Sequence, residues 1–448
     1  MKDLTKGNIY KTFILFAIPL VLSGVLSQAY AIIDSIIAGK WLGASGIAST
    51  GATASLIQFI SSVFWGYSAG FSIYIAVLFG SQNYERLKTT LYSNFIVVSL
   101  SCIAVSAIMV FFRDSIFTFL EIDNSIKKDA EIYFVTYTCG LLPILLNNFF
   151  AVSLHAMGIS GFSFKMAIVS SILNITGNIL SVTQLHMGIF GIALSSVTAS
   201  LIVDIFYIVK IKGCFSKMPG EKDFKLHFSM LSIKRSVSYA IPVTIQQMIM
   251  YAASFLIAPM VNALGGGITA AYSVVHRIYE INANVYQNSA KTLTNYTAQC
   301  VGAKKSDQIQ KGIKVAFLQG AVLVLPFILI CVVFAAPVCK AFFPSEYVGE
   351  GLKFSIAFSK FYLPFILFNV VNNLFHAFYR GVKNMKMLLI TTTFGSIVRV
   401  VASAVLVGKY GIHGIYAGWV ISWIAEAILC IVSYYLSARK NNILNGQD

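Results

Sequence analysis

Residues 13–34 read FILFAIPLVLSGVLSQAYAIID, an apolar run whose one charged residue, Asp34, comes last. An α-helix rises ~1.5 Å per residue, so a run of about 20 residues crosses a hydrocarbon core of ~30 Å. The run therefore predicts a membrane-spanning helix. A carboxylate within such a helix is costly unless it has a partner or a function, which makes Asp34 the first candidate functional residue.

The composition extends this prediction to the whole chain. Of 448 residues, 57% are hydrophobic and 11% are charged, whereas a soluble domain carries about 25% charged residues. Apolar runs of bilayer length recur, unlike the short alternating segments of a transmembrane barrel. We predict an all-α, multi-pass membrane protein. Because the first run is long and contains Pro19 and Asp34, we expect it to be a span and not a cleaved signal peptide.

Twelve spans are predicted. Their approximate boundaries are 9–38, 46–76, 89–112, 130–157, 162–184, 188–209, 234–262, 267–292, 312–338, 351–379, 384–407 and 412–437. The longest polar connection, 210–235, is predicted to be a linker. The seven cysteines are scattered without a CxxC pair, so neither a disulfide framework nor a metal site is expected.

The basic residues predict the orientation of the spans. Most of the 33 lysines and arginines lie at the termini, in the 210–235 linker and in the other connections on that same side. The positive-inside rule then places both termini and the linker in the cytoplasm of a bacterial-type inner membrane. This bias explains the net charge of +16. Because the charges are spread over separate loops, a nucleic-acid partner is not expected.

The two halves of the chain resemble each other at a nearly constant offset. The clearest matches are Ala17-Ile18-Pro19 with Ala240-Ile241-Pro242, His155-Ala156 with His376-Ala377, and Gly188 and Gly191 with Gly411 and Gly414. Six spans in each half give a parallel repeat, with a pseudo-two-fold axis along the membrane normal. We predict an N-lobe at 1–212, a linker at 213–233 and a C-lobe at 234–448. Two facing six-helix lobes favour a central cavity and alternating access.

Charged residues within the predicted spans are candidate functional groups. The acids are Asp34, Asp204, Glu280 and Glu426, and the bases are Arg277, Lys291, Lys360 and Arg399. Asp204 and Glu426 are repeat mates, for which a polar anchor is the favoured interpretation. Arg277 and Glu280 share a helix face. They form either an internal ion pair or, with Lys360 and Arg399, a polar site for an anionic group.

Asp34 differs because no basic residue lies within pairing distance on its own span. Pro19, four turns earlier, removes a backbone hydrogen bond and is predicted to be a hinge. Protonation of Asp34, or binding of Na⁺, would neutralise it and allow its helix to repack. This would couple an ion gradient to a conformational change. The alternative is a structural aspartate bonded to neighbouring helices.

The chain resembles the MATE (multidrug and toxic compound extrusion) family, and in particular its prokaryotic branch, which is related to DNA-damage-inducible exporters. The resemblance covers the whole chain. It rests on Ile18-Pro19 through Asp34 to Gly39 and Leu42-Gly43, on Phe79-Gly80, on Leu154-His155-Ala156-Met157-Gly158 and on 188–194. His155 replaces the arginine of the family pattern. The resemblance implies a transporter and not an enzyme.

The family implies drug efflux driven by H⁺ or Na⁺, with no other cofactor. Its N-lobe ion site would correspond to Asp34, Asn148, Asn174, Asn178 and Ser196. Asn174 and Asn178 lie one turn apart on one face, and oxygen-bearing side chains suit a hard cation. Asn148 fits this site least well, because it is expected to lie nearer the cytoplasmic side of the membrane than the other four residues.

Further positions depart from the family pattern, among them Ser196, which stands where relatives have threonine. Asn178 stands where many relatives have a second aspartate, which leaves the site with one formal charge. Met250 and Asn369 stand about where some relatives carry C-lobe acids. A C-lobe cation site of that type is therefore not expected, and protonation of Asp34 is sufficient by itself.

The predicted substrates are amphipathic, often cationic small molecules, exported by a monomer within membrane lipid. Aromatic rings stack on flat cations, and the cavity candidates are Gln28, Gln58, Phe64, Tyr251, Tyr272 and Asn284. A lipid-linked oligosaccharide flippase of the same superfamily is the alternative. Twelve spans argue against it, and Arg277, Lys360 and Arg399 argue weakly for it. A membrane-embedded enzyme is disfavoured because His155 and His376 are expected to be structural.

Overall fold

The chain folds into α-helices along almost its whole length. The structure, a computed structural model, describes residues 1–119, 122, 124–219, 226–343 and 349–439. Within these ranges, side chains are left undescribed at 30–32, 34, 35, 38, 39, 43–48, 51, 52, 54, 55, 119, 124, 125, 266, 267, 270 and 437–439. The described ranges contain helices and no strand, which confirms the predicted all-α fold class.

The helices follow the predicted spans closely. They are α1 (Ile9–Gly80), α2 (Tyr84–Phe111), α3 (Arg113–Phe119), α4 (Asn124–Cys139), α5 (Leu141–Ala156), α6 (Gly161–Thr183), α7 (Gly188–Phe215), α8 (Met230–Asn262), α9 (Gly266–Gly302), α10 (Ser306–Val333), α11 (Ala335–Lys340), α12 (Glu350–Ala357), α13 (Ile366–Gly381), α14 (Met385–Tyr410) and α15 (Ile412–Arg439). The first two predicted spans both lie in α1, whose 72 residues contain separate apolar segments at Ile9–Ala29 and Leu56–Gly80.

Ten helical segments of the described chain are long and apolar enough to cross a membrane, and a bent pair raises this to 11. The predicted eighth span, 267–292, is not among them. It lies in α9, whose 37 residues are long enough but carry buried polar side chains such as Asn282, Asn288 and Gln299. A helix this polar is stable in a membrane protein when its polar face lies against other helices.

Two predicted spans are interrupted near the same position of the repeat. The fourth span bends by 46° between Ile126–Cys139 and Leu141–Ala156. The tenth passes through a π-turn, Phe358–Tyr362, and a 3₁₀ turn, Leu363–Phe365. Pro143 follows the first break and Pro364 lies within the 3₁₀ turn of the second, and each proline lacks the N–H that would continue the helical hydrogen bonds. The repeated prolines thus account for both interruptions.

Two compact units divide the chain. The first consists of Met1–Asp3 with Leu22–Thr244, and the second of Leu4–Val21 with Ile245–Asp448. The units differ from the predicted lobes in two segments. The beginning of α1 belongs to the second unit, and the beginning of α8 belongs to the first. Both divisions fall just after a repeated proline, Pro19 or Pro242. The prolines therefore mark where each helix leaves one unit for the other.

Specific contacts hold the exchanged segments in place. In the second unit, the backbone N–H of Leu4 donates to Oε1 of Gln299 at 2.9 Å, and the Phe13 ring meets that of Tyr296 at 4.9 Å. In the first unit, the rings of Tyr74 and Tyr239 stack at 5.4 Å. A Cβ added at Gly70 would lie 2.5 Å from the Cα of Ala240, so the glycine permits α1 to approach α8 closely.

Candidate functional site

A chain of side-chain hydrogen bonds connects α6 to α7 in the first unit. Nδ2 of Asn178 donates to Oδ1 of Asn174 at 2.8 Å, and Nδ2 of Asn174 donates to Oγ of Ser196 at 2.8 Å. Asn174 and Asn178 are 2% and 0% exposed. Three of the five residues predicted for the N-lobe ion site therefore lie together, and we refer to them below as the amide chain.

The local sequence explains how the two helices come so close. Asn174 and Asn178 are one turn apart, so their side chains lie on the same face of α6. Gly177 lies between them, and a Cβ there would be 3.0 Å from Oγ of Ser195. The glycine brings α7 near enough for Ser196 to accept the Asn174 amide. This face offers amide and hydroxyl oxygens of the kind that bind hard cations or hold an acid in place.

The other two residues of the predicted site are placed differently. Asp34 lies in α1, but its side chain is outside the described part of the structure. Asn148 lies in α5, and its buried Oδ1 accepts no hydrogen bond from the described residues. Buried carbonyl oxygens without a donor are rare in native proteins. The roles of Asp34 and Asn148 in ion coupling remain predictions.

A second polar cluster lies in the second unit and was not predicted as a site. Nε2 of His376, on α13, is 3.1 Å from Oε1 of Glu426, on α15. Asn372 donates to the other carboxylate oxygen at 3.3 Å, and Thr392 on α14 lies 3.4 Å from Nε2 of His376. A Cβ at Gly395 would lie 2.5 Å from Glu426 Oε2, so this glycine allows α14 to approach the carboxylate.

Further hydrogen bonds lie on two sides of this cluster. Towards the end of α13, Gln246 donates to Thr392 at 3.0 Å and accepts from Nη2 of Arg380 at 2.6 Å. Towards α9, Nδ2 of Asn369 donates to the hydroxyls of Tyr286 at 2.9 Å and Tyr279 at 3.1 Å. Asn369 is the residue that stands about where some relatives carry an acid, and here it serves as a donor to tyrosines.

A cavity of about 40 Å³ lies within the cluster. Its lining includes Asn373, Ser396, Arg399 and Glu426. Nη2 of Arg399 donates to the backbone carbonyl of Met250 at 3.2 Å. Arg399 is thus the one residue of the predicted C-lobe polar site that lines this cavity in the described part of the chain.

The remaining charges of the predicted C-lobe site lie elsewhere. Arg277 and Lys360 have exposed side chains. Oε1 of Glu280 is 4.0 Å from Nε2 of His276, with both side chains more than 40% exposed. The neighbour found for Glu280 is therefore this histidine, one turn earlier on α9. The alternatives of an internal pair with Arg277 and of an anion site stay predictions.

The predicted cavity-lining residues divide between the two units. Gln28, Gln58 and Phe64 belong to the first unit, and Tyr251, Tyr272 and Asn284 to the second. Phe64 packs against the buried cluster of Cys102, Leu141 and Leu145. Tyr272 meets Trp419 edge-on at 5.8 Å, and the amide of Asn284 donates to the Glu280 carbonyl at 3.0 Å. Their contact with a substrate stays a prediction.

Comparison with known proteins identifies the family. A profile of the MatE family matches residues 19–180 and 242–405. The two matches begin at Pro19 and Pro242, so the profile detects each half separately and confirms the internal repeat. This chain belongs to the MATE family. Members of the MATE family are transporters, so this multi-pass membrane protein is a transporter and not an enzyme.

Two curated MATE relatives come from Bacillus subtilis (strain 168). The chain is 24% identical to the probable multidrug resistance protein YoeA over 339 residues, which is 72% of each protein. It is 23% identical to the probable multidrug resistance protein YpnP over 284 residues, which is 62% of each. The second match thus spans less than two thirds of YpnP.

Solved structures share the MATE fold. A crystal structure of a MATE protein in complex with MaL6 aligns with a TM-score of 0.91 and 19% identity, covering 98% of this chain and 99% of the other. A MOP superfamily transporter from Pyrococcus furiosus, described as having a binding pocket of reverse polarity that suggests a different function, aligns at 0.90 and 19%, covering 97% of both chains. At these identities the likeness shows the fold alone.

The sequence contained a signal for the His376–Glu426 cluster. His155 with His376, and Asp204 with Glu426, occupy matching repeat positions, so each half carries one imidazole and one acid. His376 and Glu426 are 50 positions apart in the chain, so the repeat alone does not pair them with each other. Only the packing of α13 against α15 shows that they meet.

Proposed function

We propose that this MATE protein is an ion-coupled antiporter that exports amphipathic, often cationic compounds by alternating access. The amide chain of the first unit carries the proposal, because it assembles three of the five residues predicted to surround the coupling ion. The names of the two Bacillus relatives support multidrug compounds as the substrates. The transporter is proposed to act as a monomer in the bacterial inner membrane, with both termini in the cytoplasm.

The chemistry of the amide chain favours a proton as the coupling ion. Asn174, Asn178 and Ser196 are neutral, so Asp34 would supply the only formal charge of the five-residue site. The amide chain also uses Oδ1 of Asn174 and Oγ of Ser196 as acceptors for protein donors. A Na⁺ ion would compete with these donors for the same oxygens. A proton on Asp34 neutralises the site without that rearrangement.

Export is proposed to follow from alternate protonation and deprotonation of Asp34. In the proposed site, a charged Asp34 would be stabilised by accepting hydrogen bonds from the buried amides, whereas a protonated Asp34 would offer a donor in return. The two forms thus favour different packing of α1 against α6 and α7. Pro19, where α1 crosses between units, is the proposed hinge. Substrate release would accompany proton entry from the outside.

The test uses purified protein in liposomes with the fluorescent cation ethidium. An imposed pH gradient, and separately an imposed Na⁺ gradient, drives ethidium movement. Asp34→Asn is expected to abolish gradient-driven movement while the protein still inserts and elutes as a single species. Asp114→Asn is the matched control, because Asp114 is exposed at the start of α3.

Wild-type ethidium movement in Asp34→Asn would refute the coupling role of Asp34. If a polyprenyl-phosphate lipid is moved and competes with ethidium, the flippase alternative is favoured. Faster movement under the Na⁺ gradient than under the pH gradient would assign the coupling ion to Na⁺.

A further inference from the structure

The buried pair of His376 and Glu426 calls for a functional explanation. Their side chains are 6% and 12% exposed, with Nε2 and Oε1 3.1 Å apart. Buried ion pairs add little stability, and apolar residues of similar volume often replace them without loss. Removing one partner alone typically costs about 3–5 kcal/mol. Stability by itself therefore gives little reason for the chain to carry this pair.

The neighbours of the pair accommodate a proton in more than one position. When Nε2 carries hydrogen, it donates to Glu426. When Nε2 is bare, it accepts from a protonated Glu426 or from the Thr392 hydroxyl at 3.4 Å. Thr392 is available as that donor because its own oxygen already accepts from Gln246 at 3.0 Å. Nε2 of His376 thus has a hydrogen-bond partner with or without its hydrogen.

The charged and titratable groups around the pair come from several helices. On α14, Arg399 lines the same cavity, and on α9 so does Tyr279. On α15, the buried thiol of Cys430 lies close enough to interact with the Glu426 carboxylate. From α13 itself, Arg380 reaches the cluster through Gln246. The α8 residues described in the cluster, Gln246 and Met250, are uncharged. Two cations, Arg399 and Arg380, thus belong to the cluster that contains the pair.

The surroundings of the pair include space for water. The cavity beside Glu426 measures about 40 Å³, and a water molecule needs ~10–15 Å³. The hydrogen-bonded series from Arg380 through Gln246 and Thr392 to His376 leads towards the end of α13 that the basic residues predict to be cytoplasmic. The pair thus lies beside space for water and at one end of a polar series that leads towards that end of the helix.

The internal repeat supplies an independent observation. His155 and Asp204 occupy the corresponding positions of the first half, and they are 8% and 5% exposed. Burying an imidazole and an acid is costly in a membrane protein. That both halves carry them points to a function of the pair beyond a single structural anchor.

We propose that His376 and Glu426 form a second proton-binding site of this transporter, located in the second unit. The inference rests on the ion-coupled export proposed above and adds a coupling site to it. Uptake of one proton from water changes the pair from one negative charge to none. The same proton returns to water on the opposite side after the helices rearrange, so each cycle carries it across once.

The first experiment detects the proton directly, without transport. Infrared difference spectra of the purified protein in micelles are recorded as pH falls. A protonated-carboxyl band is expected in the wild type. The part of this band that Glu426→Gln removes is expected to persist in Asp34→Asn. ¹⁵N-histidine spectra are expected to lose one titrating imidazole in His376→Gln. The site does not bind a proton if Glu426→Gln leaves the carboxyl band unchanged and His376→Gln leaves the histidine spectra unchanged.

The second experiment measures proton stoichiometry in liposomes, from the pH gradient that just balances an opposing ethidium gradient. His376→Gln and Glu426→Gln are expected to lower the number of protons per ethidium by one, and Glu426→Asp to restore it. Glu131→Gln is the control, because Glu131 pairs with Arg113 where both side chains are more than a third exposed.

The outcomes separate the two proposals. Unchanged stoichiometry in both pair variants overturns the second site while leaving coupling through Asp34 intact. If wild-type protein moves no ethidium under either gradient, the proposed export function fails, and the spectra still decide whether the pair binds a proton. Should Glu426→Gln not fold, Glu426→Asp and His376→Gln carry the same comparison.

Discussion

The amide chain predicts a measurable coupling between Asn174 and Ser196. Asn174→Ala removes the hydrogen bond to Ser196 and the acceptor for Asn178, each 2.8 Å long. Both asparagines are at most 2% exposed, so water does not replace the lost partners. Asn178 then loses the acceptor that its amide uses in this chain.

The magnitude follows from hydrogen bonds measured inside membrane proteins, which average ~0.6 kcal/mol and reach ~1.7 kcal/mol. Two such bonds give about 1–3 kcal/mol, and a buried donor left without an acceptor adds to the upper part of that range. A loss of about 1 kcal/mol shifts the unfolding equilibrium about 5-fold, and a loss of about 2 kcal/mol shifts it about 30-fold. The coupling energy between Asn174→Ala and Ser196→Ala should be about 0.6 kcal/mol or more.

The assay is a double-mutant cycle on unfolding in mixed micelles, followed by loss of helical circular dichroism. Ser200→Ala paired with Asn174→Ala is the control cycle. The Ser200 hydroxyl donates to the Ser196 carbonyl at 2.9 Å and not to Asn174, so additivity is expected there. A coupling energy near zero for Asn174 and Ser196 would show that the amide chain is absent from the folded protein.

Two further predictions test the packing of the helices. Gly70→Ala should destabilise the protein by about 1–3 kcal/mol, because the added Cβ would overlap α8. Gly408→Ala should stabilise it by ~1 kcal/mol, because no atom lies within 4 Å of the added Cβ. Equal unfolding temperatures for the two variants would contradict this prediction. Cys139 is exposed and the other six cysteines are buried, so maleimide should label native protein once per chain and Cys139→Ser not at all. Additional labels on the folded protein would contradict the burial of the other six cysteines.

The amino-acid sequence was sufficient for the fold class, the positions of most helices and the family. These depend on local properties: the apolar length of a run, the prolines and glycines that interrupt it, and the offset between the halves. The relation of Asn174 to Asn178 was likewise predictable, because a one-turn separation on a helix fixes a shared face.

The tertiary structure decided which polar groups meet. His376 and Glu426 are on helices separated by all of α14, and neither sequence position reveals the partner of the other. The same holds for Asn369 with Tyr286, and for the exchange between the units of the first turns of α1 and α8, which end just after Pro19 and Pro242. Periodicity fixes which face of a helix a side chain occupies. The energy of burying a charge depends on what a different helix places against that face, and this is a property of the packed molecule.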